Sequence, residues 1–289
     1  MMWAVWSVLA AWAYCGSLEI NKHYKIEGLT LVFLRSLFAS IYLLFLFPFM
    51  EFSADKNYYI AALLVGGMSV IGMRIQLNLA SQHNGRVAAL SQPIMIILSF
   101  VIWLFIDSNE LEKVMTDYKY TIGILLSFIL MVISLQFMRK NDASWRVFLA
   151  VLPVGILYAI ITILSKLMLD TGESSFGIAL SWVWLGNVMV ALVSLPLVLH
   201  KKLLDINIFV SKVTFRSSLA GSFMHTICWI LISLAFISAP NPSYPHVFSA
   251  MAPLWFAIYY KMTKQKDKIS PLAGFGLAIS SIILLFVAG

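Results

Sequence analysis

Charge is what this sequence has least of. Only 11% of its 289 residues are Asp, Glu, Lys or Arg, against roughly a quarter in a soluble domain, and 61% are hydrophobic. The mean hydropathy is +0.90. Such a chain has too little polar surface to stay dispersed in water, so lipid is its natural solvent. Length alone would permit one or two soluble domains, but no stretch is polar enough or long enough to form one outside the membrane. Cysteine is scarce as well. Cys15 and Cys228 both lie in apolar segments, and two such residues make neither a disulfide framework nor a metal site. A GxxxxGK[ST] motif is missing, which argues against nucleotide hydrolysis by this chain, and nothing in the sequence requires a cofactor. The net charge of +7 does not come from one basic patch, because the Lys and Arg residues fall in short loops between apolar runs. That scatter belongs to membrane topology and excludes a nucleic-acid partner.

The apolar runs themselves are long. A bilayer core about 30 Å thick needs about 20 apolar residues in a helix. Ten segments meet that demand: about 2–20, 28–48, 59–80, 86–106, 118–138, 146–168, 176–198, 217–238, 242–260 and 270–288. They are continuous rather than alternating, which argues against barrel strands. The first is read as a spanning helix and not a signal peptide, since no Lys or Arg precedes it and no small-x-small cleavage site follows.

The two halves repeat one another. Ala89-Leu90-Ser91-Gln92-Pro93 opens one apolar run and Ser249-Ala250-Met251-Ala252-Pro253 opens another. Pro93 and Pro253 are 160 residues apart, as are Val87 and Val247. Tyr14 and Lys22 are matched by Tyr158 and Lys166 at a spacing of 144. The expected fold is therefore an all-α membrane protein of ten transmembrane helices, made of five-helix repeats over 1–140 and 141–289. Five is odd, so the repeats must sit in opposite orientations, the inverted design that places a cleft at mid-membrane in transporters.

On these residues the chain resembles the drug/metabolite transporter superfamily, specifically its ten-helix EamA-like members. The likeness is carried by Leu79-Ala80 with Val87 to Pro93, by Leu234-Ala235 with Val247 to Pro253, by Arg35, and by Gly123 and Gly274 near the starts of spans five and ten. It covers nearly the whole chain, through short motifs of common residues. The resemblance implies a secondary transporter working by alternating access. One departure stands out: members often carry a glutamate soon after spans four and nine, whereas here Glu110 is displaced and Lys264 to Lys268 contains none.

Orientation follows from the loops. Those joining spans 1–2, 3–4, 5–6, 7–8 and 9–10 hold fourteen Lys and Arg, the others hold three, and the termini hold none. The positive-inside rule then puts both termini outside the cytoplasm, although the resemblance implies termini inside. The expected location is a bacterial inner membrane.

Polar residues inside spans are costly and usually face a cavity or a partner. Arg35, about seven residues into span two, fits either an anion contact or a structural pairing with a snorkelled side chain. Lys166 reads as a snorkelling anchor. His225 fits a proton relay or substrate contact, or a histidine hydrogen-bonded within the bundle, with Cys228 and Trp229 on its helical face. Gln76, Asn78, Gln82, His83 and Gln92 cluster where spans three and four meet, and Gln92 stands beside Pro93, whose missing N–H frees a carbonyl. Tyr244, His246 and Ser249 occupy the matching place in span nine. Interhelical hydrogen bonding accounts for this set equally. Trp12, Tyr14, Tyr158, Trp182 and Trp229 lie deep enough to line a pocket for a flat or cationic solute, or simply to pack. The acids Asp107, Glu110, Glu112 and Asp117 read as a solvated loop.

No acid lies at the middle of a span, which disfavours a cation exporter run by a mid-membrane carboxylate. The expected function is a secondary transporter for a small organic metabolite, an amino acid or related zwitterion or organic anion. Its partners are that solute and membrane lipid, and a monomer is sufficient. A multidrug or quaternary-amine transporter with an aromatic pocket, a membrane-embedded lipid-modifying enzyme, and a non-transporting scaffold are the alternatives.

Overall fold

The computed structural model describes residues 2–82, 87–88, 90–142, 145–170, 174–200, 211–264 and 271–288. These residues are helical, with no strand among them. In chain order the helices are α1 (Met2–Tyr24), α2 (Gly28–Leu43, continued by a 3-10 stretch Leu44–Phe49), α3 (Lys56–Gln82), α4 (Ser91–Ile106), α5 (Ser108–Thr116) and α6 (Tyr118–Asp142). They continue with α7 (Trp145–Leu169), α8 (Ser175–His200), α9 (Lys212–Ser238), α10 (Ser243–Ala250), α11 (Ala252–Met262) and α12 (Pro271–Ala288). Each of the ten expected apolar segments overlaps helix. Five helices are long and apolar enough to cross a membrane: α2 with its 3-10 continuation, α3, α7 from Leu149, α8 and α9. The bent pair α4–α5 makes a sixth if counted as one span.

Outward faces carry large apolar side chains, such as Leu63, Leu64 and Ile71 on α3 and Leu125, Leu126 and Ile129 on α6. In water such a surface would be a liability; in a bilayer it faces hydrocarbon. Inside, small residues let helices approach closely. A Cβ on Gly155 of α7 would lie 2.6 Å from Ile94 of α4. Ser127 of α6 and Ser280 of α12 each donate to the other's carbonyl, at 2.9 and 2.8 Å.

Helix ends are fixed by polar side chains. Glu27 caps α2 by accepting from the Thr30 N–H at 2.8 Å, and Ser211 caps α9 through Thr214. Asn21 donates to the Leu77 carbonyl at 2.9 Å, which ties the α1–α2 turn to the end of α3.

Two segments differ from expectation. The ninth expected span, 242–260, is interrupted at Met251 between α10 and α11. Pro253, in the first turn of α11, has no N–H to continue the ladder. The stretch read as an acidic loop forms helix α5, bent 104° from α4. Asp107 caps it by accepting from the N–H groups of Asn109 and Glu110.

The main packing pairs are α1 with α9, α6 with α12, α2 with α8, α4 with α7, α3 with α7 and with α8, α2 with α9, and α1 with α10 and, more weakly, α11.

Candidate functional site

α1, α2, α3, α4, α7, α9 and α10 converge on a central cavity of about 90 Å³. Among the described residues its wall carries one fixed cation, Arg35, and no Asp or Glu. Around it stand Tyr14, Gln76, Gln92, Tyr158, His225 and His246, with Ser17, Thr162, Ser165 and Ser249 as hydroxyl donors and acceptors and Trp229, Met73 and Ile161 among the apolar lining.

Arg35 is only 3% exposed. Its position on α2 is held from behind by α9. Ser222 donates to its carbonyl oxygen at 2.7 Å, and Gly221 lets the α9 backbone lie along the arginine stem, a Cβ there falling 3.4 Å from Cδ. Its Nε is buried without a hydrogen-bond partner, and among the described residues no carboxylate pairs with the guanidinium. Gln92, in the first turn of α4, likewise holds a buried Oε1 with no partner.

Gln76 is fully engaged instead. Its Nε2 donates to the Tyr14 hydroxyl at 2.6 Å, and its Oε1 accepts from the Tyr158 hydroxyl at 3.2 Å. One amide on α3 thereby joins the two tyrosines that the sequence places 144 residues apart. Gly72, one turn earlier on α3, makes room for the Tyr158 ring, whose edge would lie 3.1 Å from a Cβ at that position. On the far wall, Thr162 Oγ1 and His246 Nε2 are 3.0 Å apart. The His246 ring packs 5.2 Å from Phe236, and His225 packs 5.8 Å from Trp229.

Of the residues singled out from the sequence, Tyr14, Arg35, Gln76, Gln92, Tyr158, His225, Cys228, Trp229, His246 and Ser249 line this cavity, and His83 lies outside the described residues. Trp182, Asn78, Trp12 and Tyr244 stand elsewhere. Trp182 lies behind the wall, donating to Ser165 Oγ at 3.2 Å and lining a small side cavity of about 20 Å³ with Ser69 and Asn187. Asn78 accepts from the Gly28 N–H at 2.8 Å and so serves the start of α2. Trp12 is exposed on the flank of α1, 5.3 Å from Trp255. Tyr244 is buried beyond the cavity and donates to Glu110 Oε1 at 2.6 Å.

Ser17, Met73, Thr162 and Ser165 went unmarked in the sequence. A helical projection from Tyr14 and Tyr158 finds three of them, since Ser17 is at i+3 and Thr162 and Ser165 are at i+4 and i+7.

Two clusters lie beside the cavity. Where α10 begins, Glu110 of α5 accepts from Tyr120 at 2.5 Å and from Tyr244, and the two hydroxyls lie within hydrogen-bonding distance of each other. Trp3 and Phe100 pack on the Tyr244 ring. A second, mostly apolar cluster of Leu18, Leu79, Leu90, Val151 and Phe256 includes Tyr260, which donates to Glu19 at 2.7 Å.

No protein-family model and no curated protein matches this chain. Among solved structures, one described as "Crystal structure of protein" superposes with a TM-score of 0.67 over 99% of this chain and 98% of that chain, at 9% identity. The likeness is one of fold.

Proposed function

We propose that the chain is a secondary transporter that carries a small organic metabolite with a carboxylate or other anionic group across the membrane by alternating access. The observation that carries this reading is Arg35: a buried guanidinium with no anionic partner among the described residues, lining a cavity between the helices. An unpaired buried charge is unfavourable, and in a membrane protein it marks a substrate or ion path. The unpartnered Gln92 Oε1 supplies an acceptor in the same chamber.

In this reading the protein has ten spans, arranged as inverted five-helix repeats over 1–140 and 141–289, of the EamA-like drug/metabolite transporter kind. Helix packing supports it. Exchanging the halves turns the α1–α9 pair into the α7–α3 pair and turns α4–α7 into the packing of α10 and α11 on α1, while α2–α8 and α6–α12 map onto themselves. The interruption at Met251 puts a broken helix at the chamber, as in transporters with midplane sites. Loop charges favour termini on the non-cytoplasmic side of a bacterial inner membrane.

A quaternary-amine carrier is the second reading, favoured by the Tyr14, Tyr158 and Trp229 rings on the cavity wall. Arg35 opposes it, because the same wall offers a cation no carboxylate. Purified protein in proteoliposomes should take up small organic anions or amino acids in preference to quaternary amines. Flux of amines alone would reverse the ranking, and folded protein that moves no solute would remove the transport reading.

A further inference from the structure

The same cavity bears on how the cycle must run, an inference that rests on the transport reading above. Arg35 cannot escape to the membrane surface. It stands seven residues into α2, about 10 Å along the helix at 1.5 Å per residue, with its carbonyl bonded to Ser222 and its stem against Gly221. Among the described residues no wall residue is acidic, so these supply the chamber with no internal counter-ion to close over.

Alternating access passes through a state sealed at both ends. With an anion aboard, the guanidinium is paired in that state. Sealed empty, it would keep a full charge in a low-dielectric chamber with no partner, the costliest arrangement for a buried ion. The loaded carrier therefore crosses readily and the empty carrier does not. We propose that this protein is an obligatory exchanger of small organic monoanions, one anion entering for each that leaves. Such a swap moves no net charge, so the membrane potential does not drive it. A zwitterion fits less well, since its ammonium meets rings and hydroxyls but no carboxylate. A cavity of about 150 Å³ holds benzene, so about 90 Å³ admits only solutes smaller than benzene.

The test uses full-length protein in proteoliposomes with two probes, radiolabelled glycolate and methanesulfonate, each of five non-hydrogen atoms. The sulfonate stays charged and does not leak as a neutral acid. Initial uptake is compared between vesicles preloaded with the same unlabelled anion and vesicles holding only sucrose and buffer, with the potential clamped at zero or inside-positive. Preloading should raise the rate at least about tenfold, a barrier difference of about 1.36 kcal/mol, and the clamp should leave that exchange unchanged. Arg35→Gln should abolish anion exchange, whereas Arg35→Lys, which keeps the charge, should retain the dependence on preloading. Equal uptake into sucrose vesicles would overturn obligatory exchange and leave the transporter standing. Flux of amino acids or amines without either anion would overturn the anion assignment. No flux of any solute by folded protein would overturn both readings together.

Discussion

Two charged side chains are buried about equally deep and meet opposite surroundings. Glu110 is 5% exposed and Arg35 is 3% exposed. The carboxylate accepts from the hydroxyls of Tyr120 and Tyr244; the guanidinium has a free Nε and no carboxylate among the described residues. A buried polar group with its bonds made is architecture, and one without them calls for a partner that comes and goes. Lys166 sides with Glu110: it is buried near the end of α7 and bonds Asp170 at 3.0 Å. Burial alone therefore does not mark a site; unmet hydrogen-bonding capacity inside a cavity does.

The contrast breaks first at Arg35. Arg35→Gln should lower anion flux by at least about a hundredfold, the loss of a charge-assisted contact worth about 2.7 kcal/mol, while leaving the thermal midpoint unchanged or higher, because an uncompensated charge is removed. A fall in midpoint matching the fall in flux would make Arg35 structural. Glu110→Ala should do the reverse. It leaves the two buried hydroxyls only each other as partner and one donor unsatisfied, at about 1–3 kcal/mol, and should lower the midpoint by several degrees. Glu110→Gln, which keeps an acceptor oxygen, should lose less. Equal stability of the alanine variant and wild type would show that the tyrosine latch holds nothing together.

Seen against the sequence, the difference between these two sites has a physical cause. Arg35, Gln92, Tyr14 and Tyr158 were legible because a polar group in a long apolar run has few innocent explanations, and because the repeat spacing pairs the tyrosines. Glu110 was not legible. Asp107, Glu110, Glu112 and Asp117 resemble any solvated loop, and Glu110 finds its hydrogen-bond donors in Tyr120 and Tyr244, the latter 134 residues away. Asn78 misled for a related reason. Its amide sits beside the cavity-lining Gln76 and Leu77 in sequence but turns to the Gly28 N–H, where a Cβ on that glycine would lie 2.6 Å from the Asn78 oxygen. The helical character of the apolar segments was legible, and five of the helices, or six with the bent pair, are long and apolar enough to cross a membrane, but the break at Met251 and the bend after Ile106 are tertiary features that hydropathy does not encode.

Two smaller effects sharpen the comparison. Gly72→Val should push the Tyr158 ring toward the cavity, at about 1–3 kcal/mol of overpacking, and raise the KM of transport more than it lowers the maximal rate. An unchanged KM would separate Tyr158 from the substrate. Asn78→Ala removes a single acceptor from the α2 start, worth about 0.5–1.5 kcal/mol, and should shift the midpoint slightly while KM stays the same. A raised KM would return Asn78 to the site.

The most direct measurement of the central claim is equilibrium binding of methanesulfonate to purified protein, wild type beside Arg35→Gln, at matched folding. The unpaired guanidinium predicts saturable binding by wild type, blocked by excess glycolate, and a Kd at least about a hundredfold weaker in the variant, since each 1.4 kcal/mol is tenfold. Equal affinity in the two proteins would contradict it.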